Sequence, residues 1–292
     1  QSPTPRGGAH ADPPRSPLGK GGGAARPEAC GSDVLWVGAA TGVYRWPIDR
    51  AASDLTLLAD VPAPVRGGFN AAAIAGDRLV ATHSELGICE WDLGEPTSAR
   101  RRFESMTRGA KAVRNAACFE GDVLCSIDDR ILRWPVDGAD DRPRVIYTGS
   151  GSVITAVVVA TDGVYAGNSD GDVLFWPNGR TTDPEMLHRG MKRAAESVWL
   201  TYTHGVRQLV FTDTSPRVHA RVIGDSFACH YEAGGQTMRR VEVAPDLLVA
   251  TNDLRDRLLC WTPGKPERPS AVINVAAMTG QSIQDVCLVP SA

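Results

Sequence analysis

Two groups of residues in this sequence have types and spacings that could do chemistry. Asn70, Asn115 and Thr155 each stand seven positions before an aspartate that opens a short apolar run, and Arg239 stands likewise before Asp246. Asp285 near the C-terminus belongs to the same series if the chain ends are joined, and Leu200 fills the remaining place. Asparagine, threonine and aspartate oxygens suit a hard cation such as Ca²⁺, whereas Arg239 in the same ring would repel one. The plainer role is a set of polar groups facing channel water, and no metal or other cofactor is expected. The second group is basic. The stretches VRGGFN, TRGAKAVRN, HRGMKRAAES and GGQTMRRVEV carry Arg66, Arg108, Lys111, Arg114, Arg189, Lys192, Arg193, Arg239 and Arg240 just ahead of apolar runs. Gathered on one rim they would attract acidic partners and speed association. Turns bearing Glu85, Asp128, Asp129, Asp170, Asp253 and Asp256 share that rim and offset part of the charge.

Other catalytic patterns are missing. The six histidines are scattered through the sequence, and no H-E-x-x-H, G-x-S-x-G or phosphate-binding loop occurs. The glycine-rich TGSGS at 148–152 precedes a strand rather than a helix, so it lacks the helix N-terminus that phosphate binding uses. The seven cysteines are odd in number, include no C-x-x-C, and fall mostly in apolar runs, which predicts reduced core thiols in a reducing compartment.

The elements that must position these residues are repeats. DVLCSIDDRILRWPVDG at 122–138 reads as strand, tight acidic turn, strand and Trp-Pro stop. DVLWVGAATGVYRWPID, DRLVATHSELGICEWDLG, DGVYAGNSDGDVLFWPNG and DLLVATNDLRDRLLCWTPG repeat it, and LVFTDTSPRVHARVIG is a degraded copy. The residue ending the second half of each copy is Trp46, Trp91, Trp134, Trp176, Val222 or Trp261, so the period is about 40 to 45 residues. That period, with short alternating strands and a terminal Trp, is the pattern of β-propeller blades and leaves no room for helical repeats. The runs AAAIA, AVVVA and SVWLTY, apolar almost throughout, predict innermost strands buried between neighbouring blades.

The first copy, from Asp33, has no preceding innermost strand, while SIQDVCLVPSA at 282–292 reads as an innermost strand with nothing after it. Joined across the termini the two match AVRNAACFEGDVLCSIDDRILRW in order and spacing. The expectation is an all-β, six-bladed β-propeller closed by the C-terminal strand joining the first blade, which removes an open sheet edge.

The repeat resembles WD40 and related propellers, with Trp91-Asp92 matching the name-giving dipeptide. It departs from them in the Pro that follows Trp46, Trp134 and Trp176, in the Thr after Trp261, and in lacking the opening Gly-His. The Asn and Asp ring also resembles, weakly, the metal-holding channel of six-bladed lactonase-like propellers, but without a Glu.

Residues 1–29 hold six of the 20 prolines and almost no large apolar side chains, which predicts a flexible tail or linker ahead of a propeller at 30–292. A net charge of −3 argues against general nucleic-acid binding. No long apolar run predicts a membrane span. The sequence therefore points to a non-enzymatic recognition or scaffold module, cytoplasmic, docking a protein or peptide partner of acidic character on a basic-rimmed face, as part of a larger protein or complex. The alternatives are a channel-centred metal-dependent hydrolase or lyase, and an accessory sensor propeller.

Overall fold

Alternating apolar residues over runs of five to seven form strands that bury both faces between sheets. In the computed structural model the described residues run from 33 to 289, excepting 39–41, 48–55, 61–68, 76–77, 84–86, 93–100, 104–114, 120–121, 136–142, 150, 191–193, 204–205, 226–227, 245 and 281. The expected tail at 1–29, the remaining terminal residues and the basic residues Arg66, Arg108, Lys111, Arg114, Lys192 and Arg193 lie outside the described residues.

The chain opens with β1 (Asp33–Gly38), β2 (Gly42–Pro47) and β3 (Thr56–Asp60). The second sheet follows as β4 (Phe69–Ala75), β5 (Arg78–His83), β6 (Gly87–Asp92) and β7 (Arg101–Phe103). The third is β8 (Ala116–Phe119), β9 (Asp122–Ile127), β10 (Arg130–Pro135) and β11 (Arg144–Thr148). The fourth is β12 (Ile154–Ala160), β13 (Gly163–Asn168), β14 (Val173–Pro177) and β15 (Glu185–His188). The fifth is β16 (Ser197–Thr203), β17 (Val206–Thr212), β18 (Arg217–Val222) and β19 (Ala228–Glu232). The sixth is β20 (Met238–Val243), β21 (Leu248–Asn252), β22 (Arg257–Trp261) and β23 (Ala271–Asn274). A one-turn helix, α1 (Val275–Thr279), leads to β24 (Ile283–Val289).

Five of these four-stranded antiparallel sheets are contiguous in sequence, and the first is composite, in the order β24-β1-β2-β3. β24 pairs antiparallel with β1 from Asp33↔Val289 to Gly38↔Ile283, with a register shift at its end. The innermost strands β24, β4, β8, β12, β16 and β20 each touch the next around a closed circuit. The architecture is an all-β propeller.

The strands ending in Trp carry the packing between sheets. Trp91 lies opposite Leu79, Trp134 opposite Val123, Trp176 opposite Val164 and Trp261 opposite Leu248. All four rings are buried at 2% exposure or less. Each faces the preceding sheet: Trp176 meets Tyr147 of β11 with centroids 5.7 Å apart, and Trp261 meets Tyr231 of β19 at 6.1 Å. Burying such a ring contributes roughly 2 to 3 kcal/mol. The indole N–H groups of Trp176 and Trp261 are buried without a hydrogen-bond partner among the described residues, so these rings act through shape alone.

The fifth sheet departs from the sequence expectation. Leu209, which packs toward the fourth sheet beside Tyr165 and Val173, lies opposite Arg221. Arg221, not Val222, is therefore the counterpart of the four tryptophans; Val222 sits opposite Gln208 and points the other way. The displacement arises because the β16–β17 hairpin continues for three pairs beyond Leu209, where β4–β5 continues for one beyond Leu79. The added length is pinned to the fourth sheet by Arg207, whose guanidinium bonds both carboxylate oxygens of Asp162 and lies 5.3 Å from the Tyr165 ring centroid.

Trp176→Ala should cost about 3 to 5 kcal/mol in denaturant unfolding, and Trp176→Phe under about 1.5 kcal/mol, because no indole hydrogen bond is lost. A Phe variant as unstable as the Ala variant would show that the N–H matters. Deleting 282–292 should lower the melting temperature of the whole ring in one transition, and an unchanged melt would refute closure by β24.

Candidate partner-binding face and channel mouth

On one face of the ring, the turns between second and third strands meet the connections that lead into the next innermost strand. These turns are built by side chains that imitate backbone. The Asn168 carboxamide oxygen accepts from the N–H groups of Asp170 at 3.0 Å and Asp172 at 2.8 Å, and Asn252 does the same for Asp256 and Arg257, both at 3.1 Å. At the apex Asp128, Thr214 and Arg255 take φ values of 57°, 58° and 60°, a left-handed conformation tolerated as single residues. Asp172 also accepts from the Gly190 N–H at 3.0 Å, fastening the connection into β16. A Cβ at Gly190 would stand 2.3 Å from the backbone of Gly171, so only glycine fits there. Several acids of this rim are thus engaged in holding turns.

The innermost strands enclose a channel of about 820 Å³ walled largely by small residues, including Ala72, Ala73, Ala116, Ala117 and Ala156. At its mouth Arg240 reaches across four sheets. Its guanidinium donates to the Glu196 carbonyl, to the Thr155 carbonyl at 3.4 Å, and pairs with Asp285 at 3.6 Å. The other Asp285 oxygen accepts from the Ala72 N–H at 3.2 Å. Glu242 also lines the channel and accepts from the Leu288 N–H at 3.4 Å. Burial pushes the Glu242 carboxyl well above its ordinary range, and Asp285 adds to it. Burial likewise raises Asp285, against the lowering effect of Arg240. The Cys118 thiol is pushed up to about 12, by burial first and the Glu90 charge second, and Cys287 is raised by burial. These are inert channel-wall thiols. The six cysteines among the described residues are free.

Of the ring read from sequence, Asn115 and Asp285 face the channel, and Arg240 occupies the equivalent position opposite Thr251 in the sixth sheet. Asn70, Thr155 and Arg239 fall one position earlier, on or beside bulges where the strand register shifts, and Leu200 lies further down the wall. Asn115 donates to Ser126 Oγ at 2.8 Å, leaving its oxygen buried without a partner among the described residues. Thr155 donates its hydroxyl to the Ala195 carbonyl at 2.5 Å. With Arg240 turned onto Asp285, the mouth presents a guanidinium where a cation would have to sit.

Of the basic set, Arg189 is exposed and points its Nε at Met186 Sδ, 3.4 Å away. Arg239 lies 3.4 Å from Glu196 and 3.6 Å from Asp253. Arg255, absent from the sequence-based set, donates to Gln284 at 2.5 Å. Burial and then the neighbouring Arg239 and Arg240 lower its pKa, the mark of three guanidinium groups within mutual reach. Beside it Leu254 is 78% exposed at the tip of the β21–β22 turn. The signal for this pair was the sequence N-D-L-R-D, an apolar residue inside an otherwise polar turn.

A second cluster sits on the fifth sheet. His219 stacks on Phe211 at 5.0 Å and meets His230 edge-on at 4.9 Å. Its Nε2 lies 2.9 Å from Asp213 and 3.2 Å from Ser215. Both partners share one ring nitrogen, so the three groups cannot relay a proton through the imidazole as a nucleophile triad does. Burial would raise Asp213, but hydrogen bonds from His219 and Ser215 hold it far below the usual carboxylate range, while burial lowers His188 and His230.

No protein-family model matches the sequence, and no curated protein does. Solved structures share the fold. The chain is similar to a chain in a crystal structure of a nidogen/laminin complex, at TM-score 0.73 and 14% identity over 89% of this chain and 99% of that one. It is also similar to the β-propeller domain of Cps50 (Swd1) from Myceliophteria thermophila, at TM-score 0.55 and 12% identity over 80% of each chain. A chain of a mitotic checkpoint complex matches at TM-score 0.59 and 14% identity over 87% of this chain and 79% of that one. The WD40-like resemblance read from the repeat is thus met at the level of fold. Among the described residues, no helix is long and apolar enough to cross a membrane.

Arg240→Ala should cost roughly 2 to 4 kcal/mol near neutral pH, because it leaves the Asp285 carboxylate without its cation. Asp285 has a raised folded pKa, so its protonated form favours the fold at low pH and its ionisation opposes it as pH rises. The penalty of the variant relative to the parent should therefore shrink as the pH is lowered from neutral in urea titrations. A penalty independent of pH would show that Arg240 acts by packing alone.

Proposed function

We propose that this chain is a non-enzymatic recognition module whose six-bladed ring docks a protein or peptide partner on the face that carries the channel mouth. The observation that carries this reading is Leu254, a large apolar side chain held out on a rigid turn between Asp253 and Arg255, with Arg239 and Arg240 beside it. Exposed apolar anchors flanked by arginine are the composition of interface centres rather than of ordinary protein surface. Exposed Arg189 adds positive charge, and the sequence-based set Arg66, Arg108, Lys111, Arg114, Lys192 and Arg193 is read as the further basic residues that an acidic partner would meet. Glu196, Asp253 and Asp285 already meet the described arginines, so a partner gains from charge chiefly at the rim, where salt screens it.

The fold likeness supports the reading in a general way, since propeller chains of the nidogen/laminin and mitotic checkpoint complexes crystallised within protein assemblies. A metal-dependent hydrolase or lyase centred on the channel is disfavoured by the Arg240 guanidinium, which takes up Asp285 and would repel the cation such chemistry requires. We read residues 30–292 as the propeller and 1–29 as its tether to the rest of a larger protein or assembly, in a cytoplasmic setting.

Selection of a displayed peptide library on the folded chain should yield acidic sequences with an apolar anchor. The double variant Leu254→Asp, Arg189→Glu, at two exposed positions, should bind them at least about tenfold more weakly at unchanged melting temperature. Adding salt should weaken the parent's binding. Binding that survives the double variant would place the partner elsewhere.

A further inference from the structure

The fifth sheet lacks the ring that the second, third, fourth and sixth sheets use to seal themselves to their neighbour. Its counterpart, Arg221, faces the outer strand β15 of the fourth sheet, where Trp176 and Trp261 face β11 and β19. A pocket of about 310 Å³ opens at that position, its lining including Met186, Leu187, Leu209, Arg221, Ile223 and Asp225. Met186 is 46% exposed, so the pocket opens to solvent on the flank of the ring. The Arg221 guanidinium does not fill it. Nη1 donates to the Leu187 carbonyl at 3.0 Å and Nε to the Asp225 carbonyl at 3.4 Å, and no carboxylate among the described residues pairs with it.

We propose that this pocket is a binding site for an aromatic side chain, tryptophan foremost, presented by an exposed segment of a protein partner. The shape argument comes from the chain itself, since the same place between sheets holds a buried indole at Trp91, Trp134, Trp176 and Trp261. The chemistry agrees. A guanidinium held by two backbone carbonyls and by no carboxylate among the described residues offers a cation to the face of an aromatic ring, Met186 offers a thioether, and Leu187, Leu209 and Ile223 supply apolar walls. An aliphatic side chain would gain the walls but not the cation. The site lies on the flank between the fourth and fifth sheets and stands independently of the channel-mouth reading.

The test uses the full chain with methyl-labelled Met, Leu and Ile and two blocked tripeptides, Gly-Trp-Gly and Gly-Leu-Gly. The Trp peptide should shift the methyl signals of Met186, Leu187, Leu209 and Ile223 with a dissociation constant below about 1 mM, and the Leu peptide should bind at least about tenfold more weakly. Arg221→Trp, which restores the repeat residue, should abolish the shifts and keep or raise the melting temperature. Should that variant fail to fold, Leu187→Glu serves as the second block and should weaken the Trp peptide by the same factor. The proposal is overturned by equal binding of both peptides, by no shift at about 10 mM peptide, or by shifts that persist in the blocking variant.

Discussion

The ring depends on one set of backbone hydrogen bonds, those between β24 and β1. Without them the first sheet would lose its innermost strand and expose a row of unpaired N–H and C=O groups, and β4 and β20 would each lose a neighbour. With them, every innermost strand is flanked on both sides. The channel follows from the same closure. Six inner strands held at one radius leave an axial space, and alanines on that wall keep it from being filled.

Arg240 is the electrostatic counterpart of that closure. It comes from the sixth sheet and contacts groups on the first, fourth and fifth, including an aspartate on the closing strand itself. A carboxylate placed in a low-dielectric channel is costly alone, and the guanidinium beside Asp285 lowers that cost. The arrangement also fixes what the mouth can admit. A cation would compete with Arg240 for Asp285, whereas an anion or a neutral polar group would not. Further out, the Asn-led turns and the Asp172 link to Gly190 hold the face rigid, so the ring presents Leu254 without first having to order it.

Much of this was legible in the sequence, and the failures have identifiable causes. The strand-turn-strand copies, their Trp stops and the match across the termini carried the propeller and its closing strand, because a period-2 pattern buried on both faces allows little else. The helix α1 was legible in principle too. Asn274 caps it by accepting from the Ala277 N–H at 2.9 Å, and Gly280 ends it in the left-handed conformation at φ 71°, the usual Asn and Gly signals around a short run of helix formers. The channel ring was read one residue out in three copies. Bulges at Asn70, Thr155 and Arg239 add a residue to the inner strand, and a fixed offset counted along the sequence cannot register them. The longer β16–β17 hairpin misled in a similar way, so that Val222 stood in for Arg221. The pairing of Arg240 with Asp285 joins two different sheets across the closure of the ring, and no local pattern reports it.

A ring of similar sheets poses a problem of bearing. If all its segments were alike, a partner arriving along the axis could settle at several rotational settings of nearly equal energy. The overlong hairpin of the fifth sheet, locked to Asp162 by Arg207, acts as a keyway. It gives a near-symmetric rotor one distinguishable angle, so that whatever seats on the molecule can be indexed to a single orientation.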